Sequence, residues 1–195
     1  MSAMTDTRTH LLTVGRGLAA QRGFTAVGLQ ELLKAAAVPK GSFYHYFPSK
    51  EAYGCALLES FVKGYKADLT QTLDNTALSA KDRLLGYFSD WRLKQCSSRS
   101  EDRCLVVKLS AEVADLSPGM SAILQDGVGA IVAKLASVLR QGVSDGSIGP
   151  TDDPEALATT LYQIWLGASL MASLARDGSP FDVAMAATER LIRRP

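Results

Sequence analysis

The segment from Pro39 to Lys50 gathers groups that can hold a phosphate or touch a base edge: Lys40, Gly41, Ser42, Tyr44, His45 and Lys50. Phe43 and Phe47 stand at i and i+4, so on a short helix they share one buried face and leave the others mostly off it. The ammonium groups of Lys40 and Lys50 neutralise phosphates, and Gly41 lets the backbone come close to a ligand. The hydroxyls of Ser42 and Tyr44 reach phosphates or base edges, and His45 can donate to a phosphate. Taken singly, Tyr44 or His45 reads as a packing or capping residue and Lys40 as a solvated charge. Their order on the second of two short helices is what points to the major groove of DNA.

A second constellation surrounds Cys104. If Ser98 or Ser100 caps a helix here, Glu101 completes a capping box with the former. Cys104 then lies in the first two turns, with Lys108 at i+4 and Arg103 adjacent. All three features favour the thiolate, the reactive form. The competing reading is a small, inert core residue. Cys96 lies eight residues away, where it could resolve a sulfenic acid, and Cys55 reads as packing. Three cysteines without a CxxC pair argue against a disulfide framework or a zinc site, and fit a reducing cytoplasm. No apolar signal region opens the chain. Tyr87, Trp91, Leu105, Met120, Tyr162, Trp165 and Met171 could line an apolar cavity or simply fill the core.

The elements that must position these groups are helices. Leu11, Val14 and Leu18 repeat at helical spacing in a helix expected over 7–22, which Gly23 stops. Leu29, Leu32, Leu33 and Ala36 mark a short second helix. Pro39 starts a third and Pro48 ends it. Ser49-Lys50-Glu51 caps a long fourth helix reaching Leu73, and further helices are expected near 79–96, 100–114, 118–143, 154–175 and 180–193. The fold class is therefore all-α. Residues 1–50 form a three-helix, helix-turn-helix domain, and 51–195 a helical body.

Charge follows the same division. Residues 1–50 carry six basic and two acidic groups; the rest carries 15 basic and 18 acidic. A basic head on an acidic body implies a polyanionic partner for the head alone. Residues 156–175 run uncharged for 20 positions, long enough to span a membrane. Thr159, Thr160, Gln163, Ser169 and Ser173 within the run favour a buried interface helix, with Ala168, Ser169 and Ala172 beside Leu161, Trp165 and Leu166. Catalysis finds little support, because both histidines, His10 and His45, lie in the head, and no phosphate loop, nucleophile elbow or metal motif occurs. No cofactor is expected.

Two stretches carry a family resemblance. Phe24-Thr25-Ala26-Val27-Gly28-Leu29, followed by Ala36-Ala37-Val38-Pro39-Lys40-Gly41-Ser42-Phe43-Tyr44-His45-Tyr46-Phe47-Pro48-Ser49-Lys50-Glu51, resembles the TetR/AcrR signature. Ala37 and Pro39 depart from it, since many members have Gly and Ser there. The resemblance implies a homodimeric repressor on near-palindromic, double-stranded operator DNA, with 51–195 as its effector-sensing and dimerisation domain. It assigns DNA contacts to Thr25, Lys40, Gly41, Ser42, Tyr44, His45 and Lys50. Further on, Cys104-Leu105, Val107-Lys108-Leu109-Ser110-Ala111-Glu112-Val113, Asp115-Leu116-Ser117 and Trp165-Leu166-Gly167-Ala168 are similar to the subgroup of N-ethylmaleimide reductase repressors. That resemblance implies that an electrophile or oxidant is sensed at Cys104 beside Lys108. Arg176 is the cation available near the penultimate helix. Two alternatives stand beside it. One is a reversible apolar effector among Trp91, Tyr162 and Trp165; the other is a helical interaction protein that binds no DNA.

Overall fold

The computed structural model describes residues 2–97 and 104–193, and within them every regular element is a helix. The chain forms two compact units. Unit 1 is Met1–Gly64 with Ser98–Asp126, and unit 2 is Tyr65–Ser97 with Gly127–Pro195.

Unit 1 begins with α1, Ser2–Arg22, longer at its start than its apolar pattern predicts. Gly23 ends it at φ +91, a left-handed conformation that costs glycine little. The next helix, α2, spans Leu29–Ala36 and buries Leu32 and Ala36. Ala37 closes α2 in the left-handed region, at φ 52 and ψ 39. Glycine suits such a position, because it lacks the Cβ that the left-handed region disfavours. Pro39 is the N-cap of α3, Lys40–Tyr46, where its missing N–H costs no helical bond. Phe43 and Phe47 are buried as the i, i+4 spacing requires, and both rings pack on Tyr53, at centroid distances of 5.4 and 5.0 Å.

Tyr53 lies on α4, Lys50–Leu73, and donates its buried hydroxyl to the Leu11 carbonyl at 3.0 Å. Burial pushes its phenol well above the usual range. A Cβ on Gly15 would fall 1.6 Å from that hydroxyl, so only glycine lets α1 and α4 approach so closely. His10 bonds the Ala36 carbonyl at 3.0 Å and so ties the end of α2 to α1. The unit is completed by α6, Leu105–Leu116, and the first turns of α7, Pro118–Asp145.

Unit 2 is built around aromatic rings. It holds α5, Ala80–Gln95, α8, Pro154–Ala175, α9, Ser179–Leu191, and the remainders of α4 and α7. Ser79 caps α5 and Asp153 caps α8, each accepting a backbone N–H three residues on. Trp165 is fully buried, stacked between Phe88 at 4.6 Å and Phe181 at 5.7 Å. Its indole N–H donates to Thr188, and that of Trp91 to Ser169. Two helices, α7 and α8, have the length and hydropathy of a membrane span by composition alone. Here α8 packs on α5 and α9.

Candidate nucleic-acid interface and sensor helix

The outward side of α3 is the one the sequence predicts. Lys40, Gly41, Tyr44 and His45 are exposed, and Ser42 is half-buried. The Lys40 ammonium lies 5.9 Å from the Tyr44 ring centroid, which gathers charge and hydroxyl at one spot. No side chain caps the first turn of α2, so its leading N–H groups remain available to an anion. Lys50, at the start of α4, is half-buried with its ammonium 5.2 Å from the Phe24 ring. Together these groups make a short helix with a greasy back and a polar, cationic front, held on α1, α2 and α4.

Thr25 sits differently from its neighbours. Its N–H and its hydroxyl both donate to one oxygen of Glu112 on α6, and the Phe24 N–H donates to the other at 3.0 Å. Glu112 is the member of this cluster that the sequence pattern does not single out. It lies 87 positions from Thr25, and no local signal announces the pair. Burial works against its charge. Hydrogen bonds from Thr25 and Phe24, and then the nearby Lys108 charge, outweigh that and hold the carboxyl below its ordinary range. Beside this contact opens a cleft of about 240 Å³, lined by Phe24, Thr25, Lys50, Glu51, Leu116, Ser117 and Met120.

Cys104 occupies the N-cap of α6, at φ −67 and ψ 119, and is buried. This corrects the expectation that it lies within the first two turns, because α6 begins only at Leu105. The proposed caps Ser98 and Ser100, with Glu101 and Arg103, lie outside the described residues. Lys108 is exposed and its charge acts on Glu112. Cys55 is half-buried, and burial followed by the Glu51 and Glu59 carboxylates pushes its thiol up. Cys96 is exposed at the C-cap of α5.

The aromatic residues expected around an effector are in unit 2, whereas Cys104 and Lys108 belong to unit 1. Trp91 packs on two of the others, edge-on to Tyr162 at 5.5 Å and tilted against Trp165 at 6.3 Å. The space between Tyr65, Leu69, Tyr87 and Trp91 amounts to about 30 Å³, room for a water. Met171 is exposed, so it lines no cavity. Arg176 forms the left-handed C-cap of α8.

A helix-turn-helix with a cationic front, joined to a helical body, defines a DNA-binding regulator. Residues 11–52 match the bacterial regulatory proteins of the tetR family, and residues 80–188 match the tetracyclin repressor-like C-terminal domain. The chain belongs to the TetR family and is a TetR-type transcriptional repressor. It is 43% identical to the HTH-type transcriptional repressor NemR of Escherichia coli K12, over 97% of this chain and 96% of that one. It is 31% identical to the repressor DhaR of a Mycobacterium species, over 92% and 89%. The crystal structure of E. coli NemR in its reduced form superimposes with a TM-score of 0.92, covering 97% of this chain and 98% of that one.

Proposed function

We propose that this cytoplasmic protein binds double-stranded operator DNA as a homodimer and releases it when an electrophile or oxidant reacts at Cys104. The observation that carries the DNA reading is the buried Phe43–Phe47 pair. It turns Lys40, Tyr44 and His45 outward, with Thr25, Gly41, Ser42 and Lys50 around them. Two such heads address two half-sites about one helical turn apart or somewhat more. The apolar side chains Leu170, Met171 and Leu174 of α8 and Val183 and Leu191 of α9 are exposed in the single chain. A patch of that kind is covered in an oligomer, which supports the homodimer.

Two things support the sensing half of the reading. Cys104 immediately precedes α6, and α6 is the helix whose Glu112 grips the head at Thr25. An α,β-unsaturated carbonyl would take the sulfur at its β-carbon, and the thiol proton would pass through solvent to the α-carbon. The adduct adds bulk where Cys104 is now buried, so the start of α6 must move. The second reading, a reversible effector at Trp91, Tyr162 and Trp165, would require those packed rings to part. Fluorescence anisotropy on DNA from upstream of its own gene, before and after thiol alkylation, separates the two. Release on alkylation supports the cysteine; indifference favours the reversible ligand.

A further inference from the structure

We propose that the Glu112 carboxylate occupies the place of a DNA phosphate on the Phe24–Thr25 amides, so that the head makes its Thr25 contact only when Glu112 withdraws. The inference rests on the DNA-binding reading of the head and adds an internal competitor to it.

The donors form a built anion site. Two successive N–H groups and one hydroxyl converge on a single carboxylate, each oxygen taken by at least one donor. Successive amides after a residue of positive φ make a concavity that favours anions. Gly23, at φ +91, is that residue. A Cβ on Gly23 would stand 2.8 Å from the nearer Glu112 oxygen, so the absent side chain is what admits the carboxylate. Thr25 itself is exposed, on the same unit as the front of α3.

A carboxylate presents two oxygens on one edge, as a backbone phosphate does. The three donors cannot serve both. If Glu112 stayed in place, a phosphate brought to Thr25 would meet a like charge in direct contact. That charge persists at neutral pH, because the same hydrogen bonds keep the carboxyl ionised. Lys108 lies four residues earlier on α6, at the spacing of a helical ion pair, and gives the released carboxylate a partner. Glu112 therefore acts on DNA affinity through Thr25, and an adduct at Cys104 that releases DNA must shift α6 so that Glu112 stays on Thr25. Glu112 is a positioning residue and touches no DNA itself.

The test uses the full-length protein with a fluorescein-labelled, mixed-sequence duplex, titrated at several salt concentrations. The variants are E112Q, E112A and, as a control for charge alone, E189Q on the exposed side of α9. E112Q and E112A should bind roughly three- to tenfold tighter than wild type. Their salt dependence should steepen by about one counterion per head, because a phosphate contact is gained. E189Q should match wild type. Equal or weaker binding by both Glu112 variants at an unchanged salt slope would overturn the proposal. So would a gain in E189Q equal to that in E112Q. Absence of salt-sensitive DNA binding in wild type and both Glu112 variants would sink the DNA-binding reading itself, which is a different failure.

Discussion

The Glu112 carboxylate accepts hydrogen bonds from both the N–H and the hydroxyl of Thr25, joining α6 to the loop before α2. Its carboxyl is held below the ordinary range, so the folded state binds its proton less readily than the unfolded chain. The contribution is thus complete above the unfolded value of about 4.3 and is lost as pH falls through the lower folded value. The gap in melting temperature between wild type and E112Q should hold from pH 7 down to the unfolded value and close as pH falls further, through the lower folded value. A gap that widens on acidification would contradict this.

Lys40 and Lys50 should behave as phosphate contacts. Replacing either by Ala should weaken binding to every duplex alike and reduce the salt slope by about one. Tyr44, stacked under the Lys40 ammonium, should alter sequence preference as well as affinity when changed to Ala. Anisotropy on operator and scrambled duplexes at two salt concentrations reads both effects. A lysine variant that relaxes specificity while keeping its slope would assign that lysine to base edges.

Ala37 holds a left-handed conformation at φ 52, which costs a residue with a Cβ about 1–2 kcal/mol. Glycine removes that strain but brings its own entropy loss. Ala37→Gly should therefore stabilise the protein by roughly 0.5–1 kcal/mol, seen as a raised midpoint in thermal unfolding. A lowered midpoint would show the turn to be unstrained.

Gly15 and Tyr53 should be coupled. Gly15→Ala places a methyl carbon against the Tyr53 hydroxyl and should cost about 1–3 kcal/mol through overpacking. Tyr53→Phe loses the bond to Leu11, yet should make Gly15→Ala less costly, because the clashing oxygen is gone. A double-mutant cycle with no coupling energy would contradict the close approach of α1 and α4.

Much of the helical plan was legible, because it rests on local signals. The spacing of Leu29, Leu32, Leu33 and Ala36 returns α2 to the residue, and Ser49-Lys50-Glu51 marks the start of α4. The uncharged run after Pro154 is α8. Its facing was harder to read, since apolar residues occur on more than one side. Leu161, Trp165, Ala168 and Ser169, expected at a dimer surface, turn inward, and Leu170, Met171 and Leu174 face out. Periodicity identifies a helix but does not choose between two apolar faces. The front of α3 could be read because its buried partners, Phe43 and Phe47, lie within one turn of the polar groups. Glu112 could not, because its partners come from a distant part of the chain. Cys104 was assigned to the right helix but placed too deep in it, since the cap depended on serines upstream of Leu105.

One comparison asks whether the DNA-binding head is switched at Cys104. Wild type and C104S are each bound to operator DNA, treated with N-ethylmaleimide and followed by anisotropy, with C55S as a control. Cys55 is a poor competitor because burial and two neighbouring carboxylates raise its thiol. All three proteins should bind tightly and with strong salt dependence before treatment. Alkylation should release wild type and C55S, whereas C104S should stay bound. Release of C104S to the same extent as wild type would contradict the assignment of the switch to Cys104.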